Sequence, residues 1–187
     1  MRRAALFVVL ALGALAFAAV TGRTDARDDK GTEVEIDGVK MTAPAEWKAE
    51  KPTGGLAPKY LFRLPKKGDN KDDAELKIFE GLGGSAEANV ERWKGTFVPP
   101  KGKSIDDVAK VEKMEVGGRK VTYLDISGSY KFRDPSKPNA KEELRPDYRM
   151  LAVQINGKEV YHLKLVGPAK TVDAYKKGFD DWLKTLK

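Results

Sequence analysis

The sequence predicts an α+β domain, an antiparallel β-sheet built from hairpins and covered by helices on both faces as an α-β-α sandwich. Three observations carry this expectation. Two-residue turns of the glycine-requiring kind, Asp37-Gly38, Gly117-Gly118 and Asn156-Gly157, each lie between alternating strand-like runs. The runs around Asn156-Gly157 are apolar on both sides, so a sheet containing them needs cover on both faces. Two amphipathic helical stretches, one after Ser85 and one from about Thr171, can supply that cover.

The chain has 187 residues and a formal net charge of +7. Met1-Arg2-Arg3 is followed by a small and apolar run from Ala4 to Val20 that contains Ala16-Phe17-Ala18, the small-x-small form read by signal peptidase. Residues 1–18 are therefore expected to be a signal peptide, and the protein periplasmic or secreted. The same run just reaches the lower bound of about 17 residues for a spanning helix, so an uncleaved inner-membrane anchor through residues 4–20 is the alternative. Cleavage removes Arg2 and Arg3 and no acid, taking the charge from +7 to +5. The chain has no cysteine, which excludes a lipid-anchored lipoprotein and disulfide stapling, so core packing alone must hold the fold. A domain of roughly 150 residues buries about two-thirds of its unfolded surface and can do so. Residues 19–31 mix both charges without apolar period and read as a flexible polar linker; residues 32–187 read as one globular domain.

Taken in order, a two-residue loop at Asp37-Gly38 pairs Ile36 with Val39, Glu35 with Lys40 and Val34 with Met41, matching apolar to apolar and acid to base. Strands are expected at Tyr60 to Leu64 and Ala74 to Phe79, joined by a polar loop. The glycine-rich turn Gly81-Leu82-Gly83-Gly84 then leads into a helix capped by Ser85, with Ala86, Val90, Trp93 and Phe97 as its apolar stripe. At Gly117-Gly118 the expected partners are Glu115 with Lys120 and Met114 with Val121. At Asn156-Gly157 they are Val153 with Val160, Ala152 with Tyr161, Leu151 with His162 and Met150 with Leu163. Between these hairpins, Arg133 to Tyr148 is proline-rich and charged and reads as a long loop of the kind that carries function. The last helix places Val172, Tyr175, Phe179, Trp182, Leu183 and Leu186 on one arc.

Little in the chain points to catalysis. The glycine turn fits neither nucleotide-loop spacing, is ringed by Glu80, Glu87 and Glu91, and lacks the lysine that phosphate loops add, so it reads as a structural corner. His162 is the only histidine, so with no cysteine neither zinc nor a serine-histidine triad is implied, and no cofactor is expected. Asp69-Asn70-Lys71-Asp72-Asp73 lacks the glycine and spacing of a calcium loop. Asn89, at the edge of the helix stripe, is expected to tie down nearby backbone, with a ligand-facing role as the alternative. Basic pairs are interleaved with acids, and an exported location argues against nucleic acid.

Four segments carry a resemblance. Asp73-Ala74-Glu75-Leu76, Gly81-x-Gly83-Gly84 followed by Glu87-Ala88-Asn89-x-x-Arg92-Trp93, Tyr148-Arg149-Met150-Leu151, and Leu165-x-Gly167-Pro168-Ala169-Lys170-Thr171-Val172 resemble a family of exported bacterial proteins of unassigned function. At fold level that family resembles the PsbP-like domains. The resemblance implies a non-enzymatic accessory or partner-binding module and supplies no catalytic residues. The leading expectation is thus an exported, non-catalytic domain that binds a protein or envelope component through a sheet edge, a helix face or the Arg133 to Tyr148 loop. Membrane contact is expected only through an uncleaved leader. A second is a small-ligand carrier with a pocket between the sheet and the helix starting at Ser85, lined by Asn89, Trp93 and Tyr161 or His162. Tyr148 and Arg149 are further candidate contacts. A hydrolase using paired carboxylates is the third.

Overall fold

The computed structural model describes residues 30–53, 57–69, 71–134, 137 and 139–187. The expected signal peptide and nearly all of the linker lie outside these residues. The elements are β1 (Thr32–Ile36), β2 (Val39–Ala43), β3 (Lys48–Glu50), β4 (Tyr60–Leu64), β5 (Ala74–Glu80), α1 (Ala86–Lys94), β6 (Phe97–Val98), β7 (Ala109–Val116), β8 (Arg119–Phe132), β9 (Glu143–Asn156), β10 (Val160–Pro168) and α2 (Ala169–Leu183). β1 and β2 form a ribbon of their own. The other strands form one antiparallel sheet in the order β3-β4-β5-β10-β9-β8-β6, with β7 also paired to β8.

Strand alternation sorts the core into two layers, as the sequence predicts for an α-β-α sandwich. Phe62, Leu76, Ile78, Val153 and Leu163 point to one face and are covered by Val172, Tyr175, Phe179 and Trp182 of α2 and by Val34, Ile36 and Met41 of the ribbon. Trp47 seals this layer, edge-on to Phe62 and Trp182 at centroid distances of 6.1 and 5.3 Å. Truncating a ring as deeply buried as Phe179 would cost about 4 kcal/mol. Leu124, Ile126, Met150 and Ala152 point to the other face, under Val90 and Trp93 of α1. α1 starts where expected, with the Ser85 hydroxyl accepting from the Ala88 amide at 3.2 Å. It stops at Lys94, and Phe97 joins the same apolar cluster from β6 instead of from the helix.

Two of the three hairpins have the predicted register, Ile36 opposite Val39 and Glu115 opposite Lys120. The third does not. β9 and β10 are joined by a three-residue loop that sets Asn156 opposite Val160, His162 opposite Gln154 and Leu163 opposite Val153. The cause is tertiary. Asp37, at a left-handed φ of 52° in the first hairpin turn, receives the Lys158 amide at 2.7 Å and the Arg119 Nε at 2.7 Å, so one carboxylate ties all three hairpin turns together. A Cβ on Gly157 would lie 2.4 Å from that carboxylate, so glycine is needed there for closeness. Burial favours protonation of Asp37, but Arg119 and the amides of residues 158 and 159 outweigh it and hold its pKa below the ordinary carboxylate range.

The expected Arg133 to Tyr148 loop is also corrected. β9 begins at Glu143, and its first residues pair with the end of β8, Glu143 with Phe132 and Arg145 with Tyr130, past an irregularity at Gly128. Arg145 stacks its guanidinium 3.4 Å over the Phe132 ring, which lets a charged and proline-containing stretch run as strand. Among the described residues no helix is long and apolar enough to cross a membrane.

Candidate functional site

The candidate residues fall into three places. Asn89, Trp93 and His162 meet under α1, and each is at most 2% exposed. The Asn89 Nδ2 donates to Gln154 Oε1 at 2.8 Å and reaches the carbonyls of Gly83 and Gly84 at 3.4 and 3.3 Å. It also lies 3.2 Å from His162 Nε2. Trp93 stands edge-on to the imidazole at 5.4 Å. Burial, together with the charges of Arg92 and Lys164, pulls the histidine pKa down to about 4, so the ring is neutral at physiological pH. Asn89 thus pins the glycine corner to the sheet. The space directly beneath α1 is filled by these side chains, and a cleft of about 370 Å³ opens between the start of the helix and the sheet, lined by Ser85, Glu87, Lys113, Thr122, Gln154 and Asn156.

Tyr161 and Arg149 lie on the opposite face from His162, because neighbours along a strand point opposite ways. Tyr161 is buried in the α2-side core and donates its hydroxyl to Glu80, which Lys59 also engages at 2.9 Å. Arg149 makes a bidentate pair with Asp125 at 2.7 and 2.5 Å and a further bond to Asp173, stitching the sheet to α2. Both act on the fold.

Tyr148 is different. It stacks on Tyr130 at 5.9 Å and lines an open cleft of about 690 Å³ between the β4–β5 loop and the start of β9. Arg63, Lys66, Asp73, Glu143 and Arg145 complete its polar wall.

Arg63 also belongs to a surface that sequence reasoning missed. On the α1 side, register places Leu61 opposite Lys77, Lys77 opposite Lys164 and Lys164 opposite Ala152, in one row across β4, β5, β10 and β9. The flanking rows on β5 and β10 hold Phe79 with His162 and Glu75 with Val166. α1 covers β8, β9 and part of β10, with Val166 half-buried at the edge of its cluster, and beyond it Leu61, Glu75, Lys77, Phe79 and Lys164 remain half-buried. Directly opposed side chains lie about 5 Å apart, so Lys77 and Lys164 repel each other. Lys77 is relieved by Glu75 at 2.6 Å, and Arg63 by Glu50 at 2.5 Å. Lys164 has no ion pair among the described residues, and desolvation, with Lys77 and Arg92 nearby, draws its pKa below the usual lysine range. Lysines at the centres of two apolar strands were the available signal. Reading it required the register that Asp37 sets.

Neither a family model nor a curated protein sequence matches the chain. Twelve solved chains match in structure. One is a crystal structure of a protein of unknown function from Pseudomonas aeruginosa, at 14% identity and a TM-score of 0.45, covering 83% of this chain and 95% of that one. Another is the solution structure of the cyanobacterial PsbP from Synechocystis, at 15% identity and a TM-score of 0.49, covering 92% of this chain and 98% of that one. The second is of the fold class that the sequence motifs resemble.

Proposed function

We propose that this is an exported, non-catalytic accessory domain that binds a partner of the cell envelope through the open half of its sheet. The observation that carries the reading is the half-buried Lys164, set opposite Lys77 with no direct ion pair among the described residues, the Glu75 carboxylate acting on it only from beside Lys77. A fold gains nothing from such a pair, whereas a partner carrying a carboxylate or phosphate would supply the missing charge. Phe79, Leu61 and Val166 would give that contact an apolar floor, and the Tyr148 cleft continues it at one end. The sole histidine supports the non-catalytic side of the reading, since it is neutral, buried and already engaged by Asn89. Capture from envelope extract by the wild-type protein and by a Lys164→Glu variant tests the proposal. A specific partner retained by the former and lost from the latter is expected. Equal capture by both, or hydrolytic turnover by the purified protein, would overturn it.

A further inference from the structure

β7 is an edge strand with few defences. Among the described residues it pairs only with β8, and residues 110–115 are all exposed. Val111 and Met114, at 42% and 37% exposure, are two of the three large apolar side chains left in solvent among the described residues. They stand on opposite faces. Met114 lies opposite Val121 on the α2 side and Val111 opposite Leu124 on the α1 side. A cleft of about 220 Å³ lies between β7 and α2, lined by Met114, Tyr123 and Leu183, and one of about 210 Å³ between β7 and α1, lined by Val90, Lys94 and Val111.

The charges of β7 choose the kind of strand. Lys110, Glu112, Lys113 and Glu115 alternate in sign two residues apart, which is self-complementary in an antiparallel pairing. A two-fold axis perpendicular to the sheet keeps each face on its own side, so opposed residues must share a face, and the axis must pass beside a residue that meets its own copy. Centring on Glu112, Lys113 or Glu115 sets like charges opposite each other. Centring on Val111 sets Lys110 against Glu112, but these already neutralise each other within the chain at 2.6 Å. Centring on Met114 stacks Met114 on Met114 and places Lys113 opposite Glu115 twice over. Glu115 has no ion pair among the described residues, and Lys113 is held only by a solvent-exposed pair with Glu87 at 2.8 Å.

We propose that β7 is the interface of a homodimer, in which two copies pair antiparallel about Met114 and join their sheets into one. The backbone groups of the free edge supply the ladder, Met114 fills the α2-side cleft, and the two Lys113–Glu115 pairs fix the register. This surface is separate from the one around Lys164.

The chain has no cysteine, so a single introduced thiol is a clean probe. Sedimentation equilibrium on the purified protein is expected to show a monomer–dimer equilibrium. Lys113→Glu or Glu115→Lys should each weaken it about tenfold or more, and the double swap should restore it. Met114→Cys should oxidise to a covalent dimer, and Val111→Cys should not. A protein that stays monomeric at millimolar concentration, a dimer indifferent to both charge reversals, or cross-linking through Val111→Cys in place of Met114→Cys would each overturn the proposal.

Discussion

The α1-facing side of the sheet has two halves that treat polar residues in opposite ways. Under α1, the buried polar side chains are tied to one another and to the glycine corner, and Asn89 Oδ1 is the one buried side-chain oxygen among the described residues left without a partner. Asn89 holds two glycine carbonyls and Gln154, and Gln154 in turn reaches Asn156 at 2.9 Å. Across β10, in the open half, Lys164 faces a like charge and stays half-buried without an ion pair among the described residues. The first arrangement stabilises the native state, because an unmet buried polar group would cost about 1 to 3 kcal/mol. The second contributes nothing to stability and is therefore the better place to look for function.

Mutations should separate the halves. The largest effect is expected from Asn89→Ala, which leaves the buried Gln154 Oε1 without its donor, frees the glycine corner and opens a small void; about 3 kcal/mol should be lost in urea unfolding. A loss under about 1 kcal/mol would mean that the corner is held by its glycines alone.

Next comes acid. His162 is neutral in the fold with a pKa near 4, against an ordinary value near 6.5 when unfolded. Its folded pKa is depressed, so the unfolded chain takes up the proton first. The contribution is fully present above about pH 6.5 and fades as pH falls toward 4. Arg92, Lys164, Asn89, Trp93, Gln154 and Phe79 surround the ring, and none of them is an acid that could welcome the extra charge. Roughly 2 to 3 kcal/mol should disappear over that window, and His162→Gln should flatten the slope. A slope unchanged by the substitution would assign the acid sensitivity elsewhere.

The smallest change in stability is expected where the proposed function is greatest. Lys164→Met removes a repelled charge and should leave the unfolding free energy unchanged or raise it by up to about 0.5 kcal/mol, while abolishing partner capture. A clear loss of stability would turn Lys164 into a structural residue like Asn89.

How much of this was legible depends on whether its cause is local. Asp37-Gly38 and Gly117-Gly118 carry turn and flanking charge pairs in adjacent residues, and both registers follow from them. At Asn156-Gly157 the turn is reshaped by a carboxylate 120 residues away, between Asp37 and Gly157. The resulting shift of three residues moves His162 from Leu151 to Gln154. Without that shift neither the Asn89–Gln154–His162 cluster nor the place of Lys164 in its row can be read. Ser85, by contrast, caps α1 through its own third neighbour, a purely local contact. Glu143 to Tyr148 looks like loop because its composition is polar, and it runs as strand because β8 and the Phe132 ring receive it.

The most direct test of the open half as a docking surface is zero-length carbodiimide cross-linking of the full chain in envelope extract, with the joined lysine identified by mass spectrometry. Amide bonds from Lys164 or Lys77 to an acidic residue of one partner protein are predicted. Bonds formed only through lysines of α2 or the β4–β5 loop, with Lys164 and Lys77 unmodified, would contradict the account.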